Sequence, residues 1–377
     1  MSKMEVRKLG DIEDLGIIEM GRGNVISKND ILSTPGNYPV YSSSSSNNGE
    51  IGRYGKYMFD DERITWSIDG GGKLFYRNNI KYSVTNVCGW LKVLDEKKII
   101  SKYLYYLLIN QWQKLNFNYS HKAHPSVIRN EYYVPNIEIK VQEEIVKILD
   151  SFTNLIDALN EELLLRQKQF EYYREKLLTF DDNVYPMSLG DCCVIKGRIG
   201  FRGYTIKDQV NKGEGAISLS PGNISEGIIN YNQCTYISWD KYYESPEIMI
   251  NNGDIIFCKT ASVGKVAVIN DLPCEATINP QLVVLKEINI NKKYLYYYLS
   301  SNSIQNKVKS LAGVGSVPNI SQSILNDLDI SVPSSQVMKS IVEKLDAFES
   351  LISSLKEEIA LRQKQYEYYR EKLLTFD

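Results

Sequence analysis

The chain has 377 residues with 43% hydrophobic and 24% charged side chains and a formal net charge of −2. At about 100–200 residues per domain, one small domain is excluded, and the composition excludes wholesale disorder and collagen-like or rod-only structure. No apolar run approaches the ~18–20 residues that span a bilayer, and the polar start MSKMEVRK lacks a signal-peptide core, so a soluble, unexported, cytoplasmic protein with no membrane partner is expected.

In chain order, residues 1–134 read as a globule in which Gly, Asn, Ser and Pro punctuate short β-prone runs, with a short helix over 102–114 where Tyr and Leu recur at helical spacing. His124-Pro125 is expected to open an extended stretch. After Val134-Pro135, residues 135–182 read as one long helix. Neither Pro nor Gly falls between Val141 and Asp182, and at 1.5 Å per residue the helix would reach ~60 Å. Residues 183–333 form a second globule, with strands over 254–258 and 264–269 and a helix over 292–309. After Val332-Pro333, residues 334–377 repeat the long helix. Tyrosine clustering in the short helices reads as core packing rather than a base-stacking platform.

The repeat organises the chain. Residues 165–181 (LRQKQFEYYREKLLTFD) recur as residues 361–377, with Phe170 against Tyr366 as the single difference. Upstream, 145–150 matches 341–346 at the same offset. Ile145, Ile148, Phe152, Leu155 and Leu159 step by 3 and 4, which suits a coiled-coil seam. A helix this long outruns one domain's core, so its stripe needs a long partner, and the other copy is the obvious one. The residues expected to pair the helices are Ile145, Phe152, Leu155, Leu159, Phe170, Tyr173 and Leu177 in the first, with Phe348, Leu351, Leu355, Tyr366, Tyr369 and Leu373 in the second. The globules correspond only at their edges: Lys8-Leu-Gly-Asp11 with Ser188-Leu-Gly-Asp191, and Lys102-Tyr-Leu-Tyr-Tyr-Leu107 with Lys293-Tyr-Leu-Tyr-Tyr-Tyr298. The fold class expected is α+β: two strand-rich mixed domains separated by two long helices.

No catalytic constellation is legible. Asp69-Gly-Gly-Gly-Lys73 lacks P-loop spacing and reads as a turn or a DNA-facing loop. His121 and His124 are the only histidines and have no ligand pair of matching spacing, so no metal is expected. Ile278-Asn-Pro-Gln281 departs from the N-P-P-[FY] loop of adenine methyltransferases, and no glycine-rich cofactor loop accompanies it. The six cysteines (Cys88, Cys192, Cys193, Cys234, Cys258, Cys274) contain no C-x-x-C pair and suit reduced thiols. Charge is uneven: residues 1–134 carry 18 Lys+Arg against 14 Asp+Glu, whereas 135–182 carry 6 against 11. No segment is strongly basic, so if the chain binds DNA its electrostatic affinity alone is expected to be weak, with a partner supplying further cationic surface.

The duplicated helices, together with Pro221-Gly-Asn-Ile224, Asn252-Gly-Asp-Ile-Ile256, Ala261-Ser-Val-Gly-Lys-Val266 and Gly315-Ser-Val-Pro-Asn-Ile-Ser321, resemble the specificity subunits of type I restriction–modification systems. Asn37-Tyr-Pro-Val-Tyr-Ser42 and Gly70-Gly-Gly72 in the first globule look like the same family. The resemblance spans essentially the whole chain. It implies two target-recognition domains (1–134 and 183–333) and two helical spacers (135–182 and 334–377) pairing antiparallel as a coiled coil in a pseudo-two-fold arrangement. It also implies a bipartite, asymmetric double-stranded DNA site with one half per domain. The implied partners are two methyltransferase subunits and, where cleavage accompanies methylation, two restriction subunits. No cofactor is implied on this chain. S-adenosylmethionine would belong to the methyltransferase subunits and ATP with Mg to the restriction subunits. His124-Pro-Ser-Val127 is matched with Val317-Pro-Asn-Ile320.

Base-reading residues vary within such a family, so candidates are chosen by chemistry: polar or basic side chains in Gly/Ser/Asn-rich loops. In the first domain these are Ser43, Ser45, Asn47, Asn48, Lys73, Arg77, His121 and Lys122. In the second they are Arg198, Arg202, Lys259, Thr260, Ser262 and Lys265. The alternative is an interaction scaffold of similar architecture that reads no DNA.

Overall fold

A computed structural model describes residues 5–44, 46–180, 184, 186–200, 203–313 and 317–376. The chain divides into two compact units, Met1–Asn160 with Glu357–Asp377, and Glu161–Lys356. Each therefore combines one globule with the N-terminal half of one long helix and the C-terminal half of the other.

In the first unit, strands Ile18–Arg22, Cys88–Val93, Arg63–Ser67 and Leu74–Arg77 form, in that spatial order, an antiparallel sheet. Tyr38–Tyr41 lies between Glu50–Tyr54, antiparallel, and Ser83–Val84, parallel, in a second sheet. Val6–Lys8 pairs with Tyr133–Pro135 and closes the globule where the long helix begins.

The second unit has the same topology. Val194–Gly197, Leu282–Lys286, Ile255–Cys258 and Val266–Val268 form the antiparallel sheet. Ala216–Leu219 lies between Thr235–Ile237, antiparallel, and Ala276–Ile278, parallel. Pro186–Ser188 pairs with Asp329–Ser331 as the closing ladder. The additions are strand Gln209–Val210 and the hairpin Ile224–Ser225/Ile228–Ile229. Two sequences that correspond only at their edges thus build one fold twice, and the mixed, strand-rich class holds.

The shared edge motifs have a structural reason. In helix Ser101–Trp112, Lys102 Nζ and Tyr106 Oη donate to Asp150 of the first long helix (2.8 and 2.6 Å). In helix Lys292–Ser300, Lys293 Nζ and Tyr297 Oη donate to the equivalent Asp346 (2.8 and 2.6 Å). Each globule is thereby keyed to the long helix that follows it. Tyr103, Tyr106, Tyr294 and Tyr297 are buried, as core packing requires. The helix expected over 292–309 is two helices, Lys292–Ser300 and Asn302–Leu311, because Ser301 is extended and its hydroxyl caps the second by accepting from Ile304 N.

The long helices run Ile139–Leu178 and Ser335–Leu374, 40 residues each. Phe152 stacks on Tyr369 in the first unit (centroids 5.3 Å apart), and Tyr173 stacks on Phe348 in the second (5.5 Å). Ile145, Leu355 and Tyr366 are buried, Leu159, Phe170, Leu177 and Leu373 half-buried, and Tyr173 and Tyr369 border on exposed. Leu155 and Leu351 depart from expectation: they are 41% and 38% exposed. The inward stripe is instead Ile145, Leu149 and Ile156 with half-buried Phe152, and in the second copy Ile341 and Leu345 with half-buried Phe348 and Ile352. Apolar pairs at 148/149 and 155/156 left the rotation of the first helix open. Gln142, which accepts from Ile100 N (2.9 Å) and donates to Lys98 O (3.0 Å), and Asp150 settle it by facing the globule.

Burial pushes the Glu349 carboxyl above the ordinary glutamate range, an effect only partly offset by Tyr297 Oη (2.8 Å), whose single proton is shared with Asp346. The folded state then holds this proton more tightly than the unfolded state does. The group penalises folding at neutral pH, and that penalty disappears as pH falls below the unfolded value. Glu349→Gln is accordingly expected to raise the melting temperature of the second unit at pH 7 by about 1–3 °C. Melting curves of both proteins from pH 4 to 8 check this: the difference should vanish near pH 4, and a gap that widens on acidification contradicts it.

Candidate nucleic-acid interface

In the first unit, three loops converge at one end of the antiparallel sheet. The Asp69-Gly-Gly-Gly-Lys73 turn joins strands Arg63–Ser67 and Leu74–Arg77, as a turn was expected to. Gly72, at φ +73°, lies against Phe117, where an added Cβ would come within 2.6 Å of the ring. Trp112 Nε1 donates to Gly71 O (2.8 Å), and Lys122 pairs with Asp69 (2.9 Å). The 117–123 loop is held to the sheet by Ala123 N donating to Ile68 O (3.2 Å) and Trp66 Nε1 donating to Ala123 O (2.8 Å). The serine-rich loop after strand Tyr38–Tyr41 ends in Asn47, Asn48 and Gly49, all with positive φ, a conformation that asparagine and glycine tolerate best.

The same loops converge in the second unit. Ile320 N donates to Lys259 O (2.9 Å), Ala261 N to Pro318 O (2.9 Å), and Thr260 Oγ1 to Asn319 Oδ1 (2.7 Å). Lys265 Nζ donates to Pro221 O and Ile224 O (3.1 and 3.0 Å), which joins the loop between strands Ile255–Cys258 and Val266–Val268 to the Pro221–Asn223 turn. This equivalence corrects the matching of His124-Pro125 with Val317-Pro318. Ala123 and Ile320 occupy the same place, so His124 corresponds to Ser321. Both are N-caps: His124 Nδ1 accepts from Ser126 N, with Pro125 first in helix Pro125–Glu131, and Ser321 caps Gln322–Asn326. His124-Pro125 therefore opens a helix, not an extended stretch, because proline suits the first helical position.

Individual candidates separate by burial. Asn47, Asn48, His121, Lys122, Ser262 and Lys265 are exposed, and Ser43, Lys73, Lys259 and Thr260 are half-buried. His121 Nε2 lies 2.8 Å from Glu131 Oε1. Ser45 and Arg202 lie outside the described residues, as do Gly315 and Ser316 of the second-globule motif. Arg77 and Arg198 need correction as base readers. Arg77 is 2% exposed: its guanidinium carbon lies 3.5 Å from the Tyr41 ring centroid and 4.7 Å from that of Phe75, Nε donates to Thr65 Oγ1 (3.1 Å), and Nη2 donates to Asn48 O (2.7 Å). Arg198 is buried, with Nε donating to Ile278 O (3.2 Å) and Nη2 to Thr277 Oγ1 (3.3 Å). Burial lowers both guanidinium pKa values. Both side chains shape the loops from beneath and present no fork to a groove. Sequence reasoning passed over Tyr119, which stands at the tip of the 117–123 loop.

All six cysteines are free, and burial pushes the Cys88 and Cys193 thiols up to about 12 and that of Cys234 to about 11, which suppresses the thiolate. Among the described residues, no three His, Cys, Asp or Glu side chains cluster as a metal site, and no helix is long and apolar enough to cross a membrane.

The family model for the type I restriction modification DNA specificity domain matches residues 1–165 and again 183–361. The specificity subunit of the type I restriction enzyme EcoR124I/EcoR124II of Escherichia coli is 31% identical over 302 residues, covering 75% of this chain and 72% of that one. A putative type I specificity subunit of Mycoplasma pneumoniae is 28% identical over 380 residues, covering 97% and 96%. The crystal structure of a type I restriction-modification S subunit from M. genitalium matches with a TM-score of 0.60 at 16% identity, covering 100% of this chain and 97% of that one, which attests the fold. Two matches of that model, together covering most of a chain built on duplicated helices, and a relative 31% identical over 75% of it place this chain in the family of type I restriction–modification DNA-specificity subunits.

Proposed function

We propose that the chain reads a bipartite, asymmetric DNA site, one half per globule, and directs adenine methylation by partner subunits that it carries on its long helices. One observation carries the reading. The globules share a topology while their loop clusters are unlike in sequence, whereas the C-terminal parts of the helices, 165–181 and 361–377, are near-identical even at exposed positions. Selection for stability alone leaves solvent-facing residues free to drift, yet Leu165 and Tyr172, both exposed, are matched by exposed Leu361 and Tyr368. Identical exposed apolar side chains suit identical partners, and two methyltransferase subunits meet that description. Divergent loops suit different half-sites.

In this reading 1–134 and 183–333 are the target-recognition domains, and 135–182 and 334–377 are spacers that pair head to tail as a coiled coil. Ser43, Asn47, Asn48, Lys73, His121 and Lys122 contact one half-site, and Lys259, Thr260, Ser262 and Lys265 contact the other. S-adenosylmethionine is bound by the methyltransferase subunits, and ATP with Mg by restriction subunits where these join. The complex works in the cytoplasm, where its DNA is.

Affinity purification of the chain from its source cells, followed by long-read mapping of methylated adenines, tests this. A complex containing the methyltransferase and a methylated motif split by an unspecified spacer are expected. Recovery of the chain without a methyltransferase, or a continuous motif, overturns the proposal.

A further inference from the structure

Tyr119 is 83% exposed, yet the backbone that carries it is tied by several hydrogen bonds. Asn118 Oδ1 accepts from Ser120 N (2.9 Å), Ser120 Oγ (2.6 Å) and His121 N (3.0 Å), while Asn118 N donates to His121 O (3.0 Å), so Tyr119 sits inside a closed turn. The turn is anchored on both sides. Phe117 is buried and stacks on His121 with centroids 5.3 Å apart, and the Lys122–Asp69 and Ala123–Ile68 contacts tie the following residues to the sheet. No hydrogen bond or ring contact involves the Tyr119 side chain among the described residues. A large aromatic ring is thus held out on a rigid turn with nothing of its own unit to cover it. An aromatic ring has few rotatable bonds, so one projected from a fixed backbone loses little freedom on binding.

Its surroundings favour nucleic acid over protein. Residues 113–124 contain no Asp or Glu but two lysines and two histidines, and the carboxylates near them, Glu371, Glu131 and Asp69, lie against Lys114, His121 and Lys122 rather than against Tyr119. The exposed neighbours Asn116, Asn118, Ser120, His121 and Lys122 are polar or basic, whereas the centre of a protein interface is ringed by apolar side chains. Such flanks suit phosphate and sugar contacts around a ring that meets a base face.

Resting on the DNA reading above, we propose that Tyr119 is a stacking residue: its ring wedges against a base step in the half-site bound by the first globule and partly unstacks it. The contact relies on the ring face, so it tolerates base changes and adds affinity, while neighbouring Asn and Lys side chains discriminate.

The assembled complex tests this on a duplex carrying its mapped split site, with 2-aminopurine placed in turn in each half. Tyr119→Ala is expected to weaken binding about tenfold to a hundredfold, and Tyr119→Phe and Tyr119→Trp to stay within about threefold of the parent. The parent complex should raise 2-aminopurine fluorescence at a step in one half-site, and Tyr119→Ala should abolish that rise. Unchanged binding by Tyr119→Ala overturns the inference and leaves the DNA reading intact. Loss of methyltransferase copurification in Tyr119→Ala, with DNA affinity per assembled complex unchanged, also overturns it and makes the ring a protein contact. A parent complex with no preference for any split site overturns the DNA reading itself.

Discussion

Leu149→Ala and Leu345→Ala are each expected to destabilise their own unit by about 2–5 kcal/mol, the largest effects of any single truncation in the long helices. The two leucines are equivalent in the repeat, both 0% exposed, and each sits in its unit's main core, where the long helix meets the globule. Removing the side chain forfeits its transfer free energy and leaves a cavity between elements that the Asp150 and Asp346 hydrogen bonds hold in place, so collapse is limited. Thermal unfolding of full-length variants should show a drop of about 5–15 °C in one transition. Leu155→Ala and Leu351→Ala, six residues further on and substantially exposed, should cost under about 1 kcal/mol. Equal losses at Leu149 and Leu155 would mean that the helix presents a different face to its globule.

Arg77→Ala is expected to cost the first unit about 3 kcal/mol and to abolish recognition of one half-site while leaving the second unit's melting unchanged. The charged guanidinium is buried without a carboxylate among its hydrogen-bond partners and is held by two aromatic faces, a hydroxyl and the Asn48 carbonyl. Truncation leaves a void and strips Asn48 O of its donor, at the point where the backbone turns through three positive-φ residues. The loop carrying Asn47 and Asn48 then loses its support. Arg77→Lys keeps the charge without the planar fork and should recover less than half of the lost stability. Circular dichroism melting and competition binding with each half-site scrambled in turn measure the two effects separately. A stable Arg77→Ala protein that still discriminates both halves would return Arg77 to the solvated surface.

The legibility of the candidate site follows the same physics. Gly, Ser and Asn runs marked loops that the fold brings together, because such residues suit backbone that turns tightly. They could not say which side chain within a loop points outward. Arg77 and Arg198 resemble groove-reading arginines in one dimension and are loop supports in three. Tyr119 carried no signal, since it lies in a polar stretch outside the tyrosine clusters and is not among the polar and basic candidates. His124 was misread because a histidine is rarely considered as a cap. Ser301 divided a helix whose apolar spacing ran on regardless.

What the amino-acid order determined unaided was the alternation of globule and helix, the exact span of the repeat, the two Val-Pro starts and the absence of catalytic spacing. All of these are local or repeated patterns, which one dimension preserves. What only the tertiary structure decided was the face each long helix buries, the common topology of the two globules, and which polar side chains remain in water. Those depend on partners far apart in the chain, such as Gln142 with Ile100 and Arg77 with Asn48. An apolar pair such as Ile148-Leu149, or an arginine in a glycine-rich loop, has two nearly equal solutions until such a partner selects one.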